Sequence, residues 1–565
     1  MFRKILCLPL LATLSLPAAL PTPDPDDGNI TLPPGFRALV FADNLVLNRK
    51  VNDRANPLRF LAVAPNGDVY AKTKRGGLFA LRDSDGDGRA DVIKEFGSGG
   101  GSGLLFHGDW LYHSTDKDVY RYKYIPGELV PSSEQEPIVV DLPNQRTHES
   151  KTFFFDDQGR LIVETGSPSN AYGGPNDRRL GAKGSDATEF LKIHGGFWRY
   201  DANKQNQKQS DGERIATGHR HVVGVAWNAV SKAAFFVMHG RDNLSAVAPQ
   251  FYNDDDNAEL PAEEFHRLRE GQDLGWPYTY WDPLKKARMV SPEFGGDNQK
   301  RAEPGKYPQP IIAFPAHWAP LQMTFYTGTQ FPEKYRGGAF IAFHGSWNRA
   351  PKPQKGYNVV FIPFDAKGEP LGSYDVFADG FTGKAEFTST REARYRPGGV
   401  AVGPDGSLYI AETEKGRIWR VIYTGETAAA ASARTATNIS APVASAPKAP
   451  AKPAAPINVK GKKTYDQFCA ACHMPDGGGV ANLQPGMTDS KVVRGDPGVL
   501  IRTILEGPAA VLPADRPKYS NMMPGYGPML NDATTADLVT YLRQTFGEGA
   551  SAVTAKDVKA QRSAK

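Results

Sequence analysis

Short apolar runs broken by glycine-bearing turns recur along most of the chain. Phe60-Leu61-Ala62-Val63-Ala64-Pro65-Asn66-Gly67-Asp68-Val69-Tyr70 returns as Val400-Ala401-Val402-Gly403-Pro404-Asp405-Gly406-Ser407-Leu408-Tyr409. A weaker copy is Phe153-Phe154-Phe155-Asp156-Asp157-Gln158-Gly159-Arg160-Leu161. Asn-Gly and Asp-Gly tolerate positive φ, so each phrase predicts two antiparallel strands joined by a tight turn. The outer two copies run on to a second glycine turn and another strand, Gly76-Gly77-Leu78-Phe79 in one and Gly416-Arg417-Ile418-Trp419 in the other. Hairpins recurring over roughly 400 residues point to radial repetition, hence a β-propeller, with two stacked sandwiches as the competing architecture. Beyond this region the period changes. Leu538, Tyr541, Leu542 and Phe546 fall at helical spacing and predict a terminal helix over residues 535–546 with one buried face.

Composition marks where the two patterns part. The 58 glycines and 45 prolines suit many turns between many short strands. Residues 427–456 are mostly Ala, Pro, Ser and Thr, with prolines at 442, 447, 450, 453 and 456 that forbid a continuous helix. At about 3.1 Å per residue such a linker could reach roughly 90 Å. At the N-terminus Arg3 and Lys4 precede an apolar run and then Ala18 and Ala19, the arrangement of a cleaved secretory signal. The expected organisation is a signal peptide at 1–20, a propeller at 21–426, a linker at 427–456, a small all-α domain at 457–548 and a disordered basic tail at 549–565. A periplasmic or secreted protein without a transmembrane segment follows from it. The net charge of +5 has no dense basic run behind it and makes no case for nucleic acid.

Cys469-Ala470-Ala471-Cys472-His473 carries the sharpest chemistry. Two thiols three positions apart can add to the vinyl groups of a haem, and the adjacent histidine offers a ring nitrogen to its iron. A zinc site would need a second soft pair, and the third cysteine, Cys7, lies in the expected signal. The region 458–547 resembles class I cytochrome c, which implies covalent haem c with His473 and a thioether as axial ligands. Met523-Pro524-Gly525-Tyr526, ahead of the last helix, supplies Met523, with Met522 and Met529 as nearby competitors.

In the propeller, histidines and arginines cluster in the loops. Thr147-His148-Glu149, Gly218-His219-Arg220-His221, His239-Gly240-Arg241-Asp242-Asn243, Ala316-His317-Trp318, His344-Gly345-Ser346-Trp347-Asn348-Arg349 and Arg394-Tyr395-Arg396 form a basic set suited to an anionic ligand and to proton abstraction. Thr217-Gly218-His219-Arg220, Val223-Gly224-Val225-Ala226, Gly240 and Gly275-Trp276-Pro277 resemble the soluble PQQ-dependent sugar dehydrogenases, and His344-Gly345-Ser346-Trp347-Asn348-Arg349 with Gly240-Arg241-Asp242-Asn243 resemble the sorbosone and pyranose dehydrogenase branch in particular, over about residues 35–424. The resemblance implies six blades, PQQ (pyrroloquinoline quinone) with calcium, and an aldose or sorbosone-like substrate. Carried over by position, His148 is the general base and Arg220 lies by the quinone carbonyl. Arg394, Arg396, Arg349, His221 and His317 contact cofactor, and the Gly240 and Arg241 carbonyls bind calcium. His221 stands where glucose-oxidising relatives carry asparagine. The combined expectation is a six-bladed all-β propeller followed by a small all-α cytochrome c domain. It would oxidise a sugar and pass electrons to a downstream acceptor. The alternative is a non-enzymatic propeller that binds a ligand and presents an electron-carrying cytochrome. Separately, Asp83-Ser84-Asp85-Gly86-Asp87-Gly88-Arg89-Ala90-Asp91 spaces its aspartates like half an EF-hand loop, with Lys94 in place of the closing glutamate. Both a structural calcium and a plain polar turn fit it.

Overall fold

The computed structural model describes residues 20–425 and 458–563, apart from 46–57, 146, 175–176, 474–476, 480–483, 489, 517–518, 520–522 and 548–549. The expected linker, nearly all of the expected signal, and Met522 lie outside the described residues. Six sheets follow one another along the chain, antiparallel but for the pairing of 216–217 with 272–273 in the third. Blade 1 is Leu58–Val63, Val69–Thr73, Leu78–Arg82 and Val92–Phe96, with the Pro65–Asp68 turn between its first two strands. Blades 2 to 5 begin at Leu104–His107, Phe153–Phe155, Val222–Asn228 and Pro320–Phe325. Inner strands of neighbouring blades touch, as 397–402 does with 58–63 and 320–325, so the sheets form a ring. The hairpin Thr279–Asp282 with Ala287–Val290 is an insertion within blade 4.

Closure of the ring joins distant parts of the sequence. Blade 6 contains Pro397–Val402, Leu408–Glu412 and Ile418–Tyr423, and its outer strand is the N-terminal Phe36–Ala42, in register Phe36↔Tyr423 and Val40↔Trp419. Phe36 packs edge-on against Phe331, Tyr335 and Phe377 of blade 5 at centroid distances of 4.7, 5.1 and 4.9 Å. Truncating this buried ring to alanine would cost about 3–5 kcal/mol.

The C-terminal domain is helical. Asn458 accepts from the Gly461 amide at 2.9 Å and starts Val459–Phe468, and Asn531 caps Asp532–Thr545. These two helices cross at Gly461, where a Cβ would stand 2.0 Å from the Asp537 carbonyl oxygen, so only glycine permits the approach. Leu538, Tyr541, Leu542 and Phe546 face the core with Tyr465 and Cys469, as the spacing predicts. The tail departs from expectation. Ala555–Ser563 is a helix rather than a disordered segment, with Val558 fully buried and Arg562 donating to Asp532 at 2.7 Å and to the Gly527 carbonyl at 2.9 Å. One apolar knob and one arginine fork order it, which net polarity does not reveal. No helix among the described residues is long and apolar enough to cross a membrane.

Candidate active site

The repeat itself builds the site. In each blade the first strand starts, and the second ends, at the same rim of the ring, as the pairs Leu58↔Thr73, Leu104↔His113, Val222↔Met238, Pro320↔Phe343 and Pro397↔Glu412 record. Residues flanking these ends therefore converge: Arg59 and Lys74 from blade 1, Glu149 before blade 3, Arg220, His221 and His239 from blade 4, His344 from blade 5, and Arg396 and Thr413 from blade 6.

Three imidazoles stack across this rim. The His148 and His221 centroids are 4.9 Å apart, and His221 and His239 are also 4.9 Å apart. His148 has positive φ (53°), and its Nδ1 lies 2.5 Å from the Ser167 carbonyl. A carbonyl only accepts, so Nδ1 carries the proton and Nε2 keeps its lone pair. Burial first, then the Arg220 and Arg178 guanidiniums, hold His148 well below the usual histidine range. It is a neutral base. His344 is fixed in the opposite sense, with Nδ1 accepting from Arg396 at 2.9 Å and Nε2 donating to the Thr413 hydroxyl at 2.7 Å.

A cationic cluster adjoins the stack. Burial, then the neighbouring Arg396 and Arg75, pull Arg59 down to about 10 against the opposing pull of Glu149, and its Nε is buried without a partner. Lys74 pairs with Glu149 at 2.6 Å, and Arg396 donates to the Gly345 carbonyl at 2.8 Å. Positive charge crowded out of water, with an unused donor, is the complement of a polycarboxylate. PQQ, a tricarboxylate, fits this donor set.

Asp242 organises the far side. Burial alone would raise its pKa, but Arg220 and Arg178 outweigh burial and hold the carboxyl far below the carboxylate range, each reaching Oδ2 at 2.6 Å. Asn170 clamps the same group, accepting from the Asp242 amide at 2.8 Å and from Arg220 at 3.1 Å. A pocket of about 370 Å³ opens at Thr147, the residue before His148, and is lined further by Asn170, Tyr172, Asp177, Arg178 and Phe190 among others.

Not every expected residue meets here. His148, Arg220, His221 and Arg396 do. Arg394 is exposed on the outer side and donates to Asn29 at 2.7 Å. Arg349 is consumed by the Ala258 and Pro353 carbonyls and by Glu259, and so braces a loop. His317 donates through Nε2 to the Asn257 carbonyl at 2.8 Å and stands 4.0 Å from Asp242, behind the site. The expected calcium carbonyls are a poor fit. The Gly240 oxygen accepts from Arg220 at 2.9 Å, the Arg241 side chain is locked to buried Glu293, and a divalent ion there would face the two guanidiniums that already saturate Asp242. On the outside of blade 1, Asp83, Asp85 and Asp87 bring carboxylate oxygens within 4.8 Å of one another, and Asp83 caps the Gly86 and Gly88 amides at 2.9 Å each.

Arg59, Lys74, Asn170 and Arg178 are the residues that sequence reasoning missed. A lone cation at the end of a strand has no signature. The available signal was position, since Arg59 directly precedes the first copy of the repeat much as Arg396 precedes the last.

In the helical domain Cys469 is buried and Cys472 half-buried on one turn, both free of disulfides. His473 Nδ1 lies 2.9 Å from the Pro485 carbonyl and donates to it, which leaves the Nε2 lone pair free for a metal. Met523 packs at the edge of the same core, while Met529 is 60% exposed. The thiols and His473 fit a covalently held haem, for which Met523 is the expected thioether ligand.

A sequence model of the TrAA12-like family matches residues 99–424, and one of cytochrome c matches residues 459–546. An uncharacterised protein of Borreliella burgdorferi is 30% identical over 57% of this chain and 75% of its own length. A pyrroloquinoline quinone-dependent pyranose dehydrogenase of Coprinopsis cinerea is 27% identical over 37% of this chain, which spans 31% of that protein's length. The solved structure of the PQQ domain of the Coprinopsis cinerea pyranose dehydrogenase in its holo form superposes with a TM-score of 0.54 and 18% identity, covering 70% of this chain and 97% of that one. It shares the fold. With more than half its length matched, the chain belongs to the TrAA12-like family, its propeller here joined to a cytochrome c domain.

Proposed function

We propose that this protein is an exported quinohaemoprotein dehydrogenase that oxidises an aldose or sorbosone-like sugar with PQQ and delivers the electrons through haem c to an external acceptor. The observation that carries this reading is a neutral base, His148, set beside a desolvated cationic cluster at one end of a propeller channel. When bound, PQQ supplies a two-electron oxidant for an alcohol carbon, and haem c a one-electron carrier. Arg59, Arg396 and Lys74 are the cations that would hold the quinone carboxylates. His148 Nε2 takes the hydroxyl proton of the sugar, and the carbonyl of Ser167 stabilises the resulting imidazolium through Nδ1. Arg220 is already spent on Asp242 and Gly240, so its part is to keep His148 unprotonated and to fix the pocket wall rather than to bind cofactor. Tyr172 and Phe190, 4.4 Å apart, give the pocket an aromatic side against which a sugar ring can lie.

The test is equilibrium dialysis of the purified protein with PQQ, followed by dye reduction over a panel of aldoses and aldehydes. Stoichiometric binding with sugar-dependent dye reduction is expected. Failure to bind PQQ would leave only the electron carrier.

A further inference from the structure

Arg391 belongs to the propeller yet bonds the helical domain. Its guanidinium donates to the Gly478 carbonyl at 3.0 Å and to the Thr488 hydroxyl at 3.0 Å. Gly478 lies in the segment just after the haem-binding pentapeptide, and Thr488 lies three residues past Pro485, whose carbonyl fixes His473. The side chain also lies within 3.6 Å of the Cβ that a residue larger than glycine would carry at Gly486. Two bonds therefore grip the loop that follows His473, at its two ends.

The turn that presents Arg391 is built for the purpose. Ser389 caps the short helical turn Thr390–Glu392 and accepts from the Arg391 amide at 3.3 Å. Glu392 returns to the Ser389 amide at 3.3 Å and is itself held by Lys384 at 2.9 Å. A reciprocal cap plus an ion pair fixes the backbone, so the long arginine loses less freedom on docking. This turn is four residues before Arg396, which belongs to the cationic cluster.

We infer that the turn at 389–392 is a docking clamp for the protein's own cytochrome domain, with Arg391 the positioning residue that seats the loop following Cys469–His473 against the propeller. This rests on the dehydrogenase reading but concerns a different contact. A long linker alone gives a high local concentration and no orientation. The clamp supplies the orientation.

The experiment uses the full-length, haem-loaded protein. Arg391→Cys with Thr488→Cys is treated with a short bifunctional maleimide, and the internal cross-link is read by peptide mass spectrometry. Arg391→Glu and Arg391→Lys are then loaded with PQQ and compared for haem reduction by sugar and for dye reduction. Expected are an intramolecular cross-link, haem reduction slowed about ten- to a hundredfold in Arg391→Glu, partial recovery in Arg391→Lys, and dye reduction and haem spectrum unchanged. A missing cross-link, or haem reduction at the parent rate in Arg391→Glu, overturns the clamp. If no variant reduces dye, the dehydrogenase reading is what has failed, and the cross-link alone decides the docking.

Discussion

The imidazoles of His148 and His221 stack 4.9 Å apart with an interplanar angle of 29°, so the proposed base has another ring, not water, on one face. That contact, with the Ser167 carbonyl on Nδ1, leaves Nε2 as the only basic position of His148. His148→Gln should lower dye-linked turnover by about 10²–10⁴-fold while the haem absorption spectrum stays as in the parent, measured by steady-state kinetics and visible spectroscopy. Unchanged turnover would remove His148 from the chemistry.

The pH dependence follows from the same residue. A free histidine loses half its base form near pH 6.5. His148 is held lower by burial and then by Arg220 and Arg178, so its base form persists below that pH. kcat/KM should stay flat through pH 6.5 and fall only under more acid conditions. Arg178→Met removes one depressing charge and should move that acid limb upward.

Stability has a pH signature of its own. Burial holds His148, His221 and His344 well below the usual histidine range in the fold, and His194 and His239 at about 4 and about 3. A depressed folded pKa means that the unfolded chain binds more protons once pH drops below about 6.5. Stability is therefore full above that pH and lost as pH falls toward the folded values. Urea midpoints at pH 7.5 and pH 5 should show the lower value at pH 5.

Asp242 is the counter-charge for two buried arginines. Asp242→Asn leaves both facing each other and should cost about 3–5 kcal/mol, read as a fall in the thermal midpoint of the propeller. Asp87→Asn, on the exposed turn of blade 1, should fall within about 0.5 kcal/mol of the parent.

Arg59 gives a test with opposite signs. Its charge is strained by burial and by Arg396 and Arg75. Arg59→Met should leave the empty propeller as stable or more so, yet weaken PQQ binding by about thirtyfold or more, because a buried carboxylate partner is lost. Thermal melts with and without PQQ separate the two effects.

Met523 is the expected thioether ligand. Met523→His exchanges it for a harder nitrogen and should lower the haem potential, measured by redox titration. Met529→Leu should not move it, since that side chain is largely exposed.

Much of the architecture was legible because turns and alternation are local. Asn66-Gly67 and Asp405-Gly406 form the turns they predict, and 538–546 buries the face its spacing predicts. The haem pentapeptide was legible for the same reason, since covalent attachment needs its ligands within one turn. The quinone site was only half legible. Its residues come from at least five blades, and an arginine in a loop reads alike whether it faces the channel, as Arg396 does, or the outside, as Arg394 does. Arg349 shows the same limit, because a buried carbonyl cage and a cofactor both call for a guanidinium. The C-terminal helix was missed because a single buried valine carries it.

The pairing of Phe36–Ala42 with Ile418–Tyr423 also governs the order of biogenesis. The earliest strand to emerge must wait for the last one, hundreds of residues later, before the circle can shut, and such a non-local pairing is slow. Until then the channel mouth has no wall at blade 6, so a quinone loaded too early would find only part of its cradle. The helical domain begins about thirty-five residues behind the closing strand, so every strand of the ring precedes it in synthesis.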